Sequence, residues 1–242
     1  MTLVKTFTAP SGHNDVWALI SLSGYLFAGY HVPPKHVDKI SPSTMTLVKT
    51  FSEPSQYFVV GALTSLSGYI YAGYSTSPGH IDKISPSTMT LVQSVTAPSG
   101  HNYIHALTAF SGVVFIGYYT TPGYIDELTP TYMYVVGTFT PPSGHNDVAG
   151  LTHLSGYVFA GYEVAQGYVD KISPRNRVLV KTYTPPSGHN YAHPLTPLSG
   201  YIFAGYSTSP GYIDKISPTN MVLVKTYTPP SGYHGAFSLT AT

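Results

Sequence analysis

The sequence predicts an all-β protein, a β-propeller of four-stranded antiparallel blades. Three observations carry that reading: a constant period, four short apolar runs in each period, and turn residues at every junction. Units of 44 residues begin at Met1, Met45, Met89, Met133, Arg177 and Met221. On that period Leu19, Leu63, Leu107, Leu151, Leu195 and Leu239 coincide, as do Asp38, Asp82, Asp126, Asp170 and Asp214. Self-similarity at 40 to 50 residues with strands inside it is the pattern of propeller blades, whereas solenoids of that period are usually helical.

The second unit illustrates the strands. VVGALTSL (59–66) leads through Ser67-Gly68 into YIYAGY (69–74), then HIDKI (80–84), then MTLVQSV (89–95), and these runs are named A, B, C and D. They are β-branched and aromatic, too short for helices, and separated by Ser, Pro and Gly. Runs such as VVFIGYY (113–119) are apolar on both faces, as a blade between two neighbours requires. Small residues (Ala18, Ala62, Ala106, Gly150) precede the recurring Leu of strand A, which fits the crowded axis. Lys5, Lys49, Lys181 and Lys225 recur on strand D, where a charge discourages edge pairing.

The array reads as a single domain, 1–242, with units 1–44, 45–88, 89–132, 133–176, 177–220 and a half unit, 221–242. The ends supply one D strand (2–8) and one A strand (234–241) beyond five complete blades. Six-fold closure, with those two strands paired as a two-stranded sixth blade, is preferred over five. The rival is a five-bladed ring whose spare segments, 1–8 and 221–242, pair with another chain to make a homo-oligomer.

Charged residues are 9% of the chain and the formal net charge is +1, so nucleic acid and anionic membranes are not expected partners. No apolar run is long enough to span a bilayer. There is no Cys, so disulfide and thiolate chemistry are excluded. No secretory signal is visible at Met1, while 22 Tyr and 23 Gly with few charges hint at an extracellular or virion surface.

The segment LSGYIFAGYSTSPGYIDKISPTNMVLVKTYT (198–228) resembles the YVTN and NHL families of propeller repeats, with F-A-G-Y in place of the Y-V-T-N tetrad. The resemblance runs over the full chain and implies the propeller architecture.

The Pro-Ser-Gly-His-Asn segment joining D to A is the leading candidate site. It presents His13-Asn14, His101-Asn102, His145-Asn146 and His189-Asn190, with Tyr57 and Tyr233 at the corresponding place in units two and six. D-to-A loops gather on one propeller face, and amides, imidazoles and Tyr rings suit sugar hydroxyls and C–H faces. The alternative is that Ser-Gly makes a turn which His-Asn caps. His101, Tyr103 and His105, like His189, Tyr191 and His193, stand at period two, yet no carboxylate recurs beside them, so no metal or other cofactor is assigned. The repeated Asp is expected to accept from the turn that follows it. The Tyr ending strand B (Tyr30, Tyr74, Tyr118, Tyr162, Tyr206) is expected to pack between blades with its hydroxyl at the rim. No catalytic motif is present, and Trp17, Glu53, His31 and Glu163 are singular residues where a one-copy site could lie. Near-identical units favour equivalent weak sites over one differentiated catalytic site. The expectation is a non-enzymatic, multivalent, lectin-like module for a glycan or other polar small ligand, with assembly through the half unit as the alternative.

Overall fold

The structure, a computed structural model, describes residues 4–31, 36–52, 59–230 and 234–239. Within them lie five four-stranded antiparallel sheets, each made of strands consecutive in the chain. Blade one comprises β1 (Val16–Leu22), β2 (Tyr25–Tyr30), β3 (His36–Ser41) and β4 (Thr46–Ser52). Blade two comprises β5 (Val60–Leu66), β6 (Tyr69–Tyr74), β7 (His80–Ser85) and β8 (Thr90–Thr96). Blade three has β9 (Ile104–Phe110), β10 (Val113–Tyr118), β11 (Ile125–Thr129) and β12 (Tyr134–Phe139). Blade four has β13 (Val148–Leu154), β14 (Tyr157–Tyr162), β15 (Val169–Ser173) and β16 (Val178–Tyr183), and blade five has β17 (Ala192–Leu198), β18 (Tyr201–Tyr206), β19 (Ile213–Ser217) and β20 (Val222–Tyr227).

Local chemistry sets the junctions. Ser23-Gly24 between β1 and β2 has φ of +50° and +78°, the two left-handed residues of a two-residue hairpin turn, and every A–B junction repeats it. The twist of that turn matches the strands it joins, so Leu22 faces Tyr25 in register.

The core lies between blades. Phe27, Val37 and Phe51 of blade one pack with Val60, Leu63, Ala72, Tyr74 and Ile84 of blade two, and similar clusters join blades two to three, three to four and four to five. The A strands pack on one another in that order and therefore line the axis, with D outermost. A glycine on strand B makes the close approach possible: a Cβ on Gly117 would lie 2.5 Å from Val148 Cγ1 of the next blade. At the opposite end, Lys39 Nζ donates to Pro86 O of the next blade (2.9 Å) while covering the Tyr25 ring. The strand-D lysines Lys49, Lys181 and Lys225 are exposed on the outer edge.

Two expectations need correcting. Among the described residues the end segments do not pair as a two-stranded sixth blade: neither 4–9 nor 234–239 belongs to a ladder, and each docks on the blade beside it in sequence. The Tyr hydroxyls ending strand B are not at the rim, because Tyr30, Tyr74 and Tyr118 are fully buried and turned inward onto the recurring Asp.

Candidate functional site

The recurring Asp gathers side-chain donors inside each blade, in most blades a loop His, a Tyr and a Thr. In blade three, Asp126 accepts at Oδ2 from His101 Nδ1 (2.8 Å) and Tyr118 OH (3.0 Å), and at Oδ1 from Thr138 Oγ1 (2.5 Å). Blade one repeats this with His13, Tyr30 and Thr50 on Asp38 at 2.8, 2.9 and 2.6 Å. His145 and Thr182 bind Asp170 at 2.8 and 2.6 Å, and His189 and Thr226 bind Asp214 at 2.9 and 2.6 Å. All five carboxylates are completely buried, so the donors replace the water each has lost. The Asp thus accepts across its blade, from the D–A loop, strand B and strand D, instead of from the turn after it. The Tyr118 phenol is pushed well up by burial and then by the Asp126 charge.

The D–A loops take their shape from this contact. Pro98 O accepts from His101 N (3.0 Å) across Ser99-Gly100, with Gly100 at φ +87°, a type II turn that needs glycine at its third position. The His101 ring then stacks on Tyr124 at 4.2 Å, and His145 and His189 stack likewise on Tyr168 and Tyr212. In unit two, Tyr57 replaces the loop histidine, and His80 from strand C sits with Nε2 3.1 Å from Asp82 Oδ1. Tyr57 and Tyr233 lie outside the described residues. The neighbouring amides differ from the histidines: Asn14 is exposed, and Asn102, Asn146 and Asn190 are half-buried on the same mouth.

The structure also joins singular residues that spacing left apart. Each strand A shifts register near its start, leaving Trp17, Gly61, His105 and Ala149, and in blade five His193 and Pro194, out of the ladder. Bulges of this kind redirect a side chain, here around the axis. The residue after strand B is held by a backbone bond to the chain before the bulge, as in His31 N to Asp15 O (2.8 Å) and Glu163 N to Asp147 O (2.9 Å). Trp17 stacks on His31 at 4.4 Å and meets the edge of His105 of blade three at 6.4 Å. His105 stacks on Tyr119 at 4.6 Å and brings Nε2 to 3.4 Å from Ser75 Oγ, while its buried Nδ1 has no partner among the described residues. Glu163 Oε2 lies 4.0 Å from His193 Nε2.

Burial, reinforced by His193 and His31, pulls the His105 pKa down to about 4, so this imidazole is neutral at pH 7. Burial also lowers His193 and raises Asp147 and Glu163, the last helped by the Asp147 charge. The mouth therefore combines aromatic faces, neutral imidazoles and carboxylates from different blades. Tyr103 and Tyr191 stand open beside it at φ +55° and +59°, a region costly for a bulky side chain. Of the earlier candidates, Trp17, His31 and Glu163 converge here, and Glu53 lies outside the described residues. His101 and His105 do not act together, since one turns to Asp126 and the other to the axis. Among the described residues no group of three or more His, Asp or Glu is arranged to hold a metal ion.

Fold and site together define a β-propeller of repeated four-stranded antiparallel blades. No family model and no curated protein matches the chain. Solved structures similar to it are propellers, several of them WD40 domains. The Neurospora crassa Pan2 WD40 domain has a TM-score of 0.70 at 11% identity, covering 88% of this chain and 66% of its own. U3-55K gives 0.74 at 10% identity over 91% of this chain and 68% of its own. The computationally designed Ika8 protein gives 0.68 at 13% identity over 94% and 65%. The chain spans about two-thirds of the length of these structures, and at such identities the likeness is one of fold. The YVTN and NHL resemblance is not matched by any family model.

Proposed function

We propose that the chain is a non-enzymatic binding module, and that it is lectin-like, holding a neutral polyhydroxylated glycan over the axial mouth. The observation that carries this reading is where the repeat breaks. The buried Asp network hardly varies between blades, whereas the axial positions read Trp17, Gly61, His105, Ala149, His193 and His31, Ser75, Tyr119, Glu163, Ser207. Variation at this mouth over a nearly constant buried Asp network fits ligand recognition. The Trp17, Tyr103 and Tyr191 rings offer faces for sugar C–H groups. His105 Nδ1 and Ser207 Oγ, buried without partners among the described residues, and the amides of Asn14, Asn102, Asn146 and Asn190 offer bonds to hydroxyls. His13, His101, His145 and His189 contribute by holding the loops. Repeated weak contacts around one ring add through avidity. Likeness to WD40 structures supports the coarser level, an interaction or scaffold module.

A glycan array with the purified chain tests the reading. Selective binding to one sugar class, weakened when the four Asn are changed to Ala with the circular dichroism unchanged, is expected. A blank array refutes the lectin reading, and turnover of a bound glycan refutes the non-enzymatic one. A second reading, assembly through the chain's end segments, is favoured by apolar residues left bare on the flanks of blades one and five.

A further inference from the structure

The blade interfaces, independently of the glycan reading, define a second site. Residues 234–239 occupy on blade five the place that strand A of each later blade occupies on its predecessor. Gly235 N donates to Thr208 O (2.8 Å), as Tyr103 N does to Thr76 O (2.7 Å) and Tyr191 N to Val164 O (2.9 Å). A Cβ on Gly205 would lie 2.8 Å from Ala236 Cβ, just as Gly117 faces Val148.

Residues 4–9 occupy on blade one the place of a preceding strand D. Phe7 packs on Ala28, Tyr30 and Ile40, as Phe51 packs on Ala72, Tyr74 and Ile84 one unit later. Lys5 Nζ donates to Ser43 O (2.9 Å) in the following C–D turn, as Gln93 Nε2 does to Tyr132 O (3.0 Å). An A-type segment and a D-type segment are thus both seated, and the strands that stand between A and D in every blade are B and C.

The surfaces that a B–C pair would cover are bare. Val16 and Leu19 are 55% and 59% exposed, against 0% and 7% for Val60 and Leu63 one unit on. On the other flank Tyr227 is 57% exposed, against 3% for Tyr183. Tyr183 OH donates to Asp214 Oδ2 of the next blade (2.8 Å), so Tyr227 is poised for the same oxygen of an incoming strand C.

We propose that the space between residues 234–239 and 4–9 is an acceptor for one β-hairpin of strand-B and strand-C chemistry, which a separate polypeptide carrying that chemistry can fill. Strand addition of this kind draws affinity from main-chain ladders and specificity from alternate side chains. The incoming strand B carries Ala-Gly-Tyr, its glycine admitting Val16 as Gly29 admits Val60. The incoming strand C carries Ile-Asp-Lys, its Asp facing Thr6 as Asp38 faces Thr50.

The test adds a synthetic peptide of residues 198–220, on a soluble carrier, to the full chain. Native mass spectrometry is expected to show one peptide per chain. Amide exchange is expected to slow about tenfold or more at 4–9, 16–19 and 234–239 together. Peptides with Gly205→Leu or Asp214→Ala are expected to protect at least about tenfold less. Absence of a complex, protection at one end only, or equal protection by the altered peptides overturns the proposal. So does a dimer of the chain that the peptide leaves intact.

Discussion

Asp126→Ala in the central blade probes the frame most sharply. The carboxylate is fully buried and takes His101, Tyr118 and Thr138 at 2.8, 3.0 and 2.5 Å. Hydrogen bonds to a charged group contribute about 1.5–3 kcal/mol each, but losing the carboxylate also removes its own desolvation cost, so the three do not add. Removing one side of a buried charged network costs about 3–5 kcal/mol, and about 4 kcal/mol is expected here. Total stabilities of about 5–15 kcal/mol make that a large fraction. Asp126→Asn keeps one acceptor oxygen for Thr138 and should cost about half as much. Urea unfolding followed by circular dichroism measures both, and amide exchange should show the loss concentrated in blade three and its two interfaces. A loss below about 1 kcal/mol for Asp126→Ala would refute the view that this network holds the blade.

Three further outcomes follow from other parts of the molecule. Val60→Ala should cost about 1–2 kcal/mol, whereas Val16→Ala, on a bare flank, should cost under about 0.5 kcal/mol; paired urea curves read the difference. His105 has its folded pKa lowered from 6.5 to about 4, so its neutral form is the one the fold favours. Its contribution is therefore fully present above 6.5 and is lost as pH falls toward 4, by up to about 3 kcal/mol, and His105→Phe should flatten that limb in melts across this range. Tyr191→Gly should relieve the φ of +59° and raise stability by about 0.5–1 kcal/mol in urea while weakening ligand binding.

Much of the frame is legible in the sequence because its determinants are local. Ser-Gly at each A–B junction supplies the left-handed residues the hairpin needs, and the period places Asp38 and its equivalents at one point in every blade. The partners of that Asp are not local. His101 and Asp126 are 25 residues apart, and nothing in either spacing says that the loop imidazole turns inward, so a loop that reads as a ligand ring is also a structural tie. The inward turn of the Tyr hydroxyls is not legible for the same reason, since burial on both flanks of strand B is a property of neighbouring blades. The axial cluster was hidden more deeply. Its members come from different units, and a register shift in strand A, invisible to a period-two pattern, decides which side chain faces the axis.

The central claim is that constant residues build the frame while the singular axial residues meet the ligand. Trp17 is the only tryptophan and stacks on His31 at that mouth, so its fluorescence is a built-in reporter. Titrating the chain with the sugar class selected on the array should shift or quench this emission saturably, and Trp17→Leu should abolish binding with the fold retained. Binding that leaves the emission unchanged and survives Trp17→Leu would contradict the account.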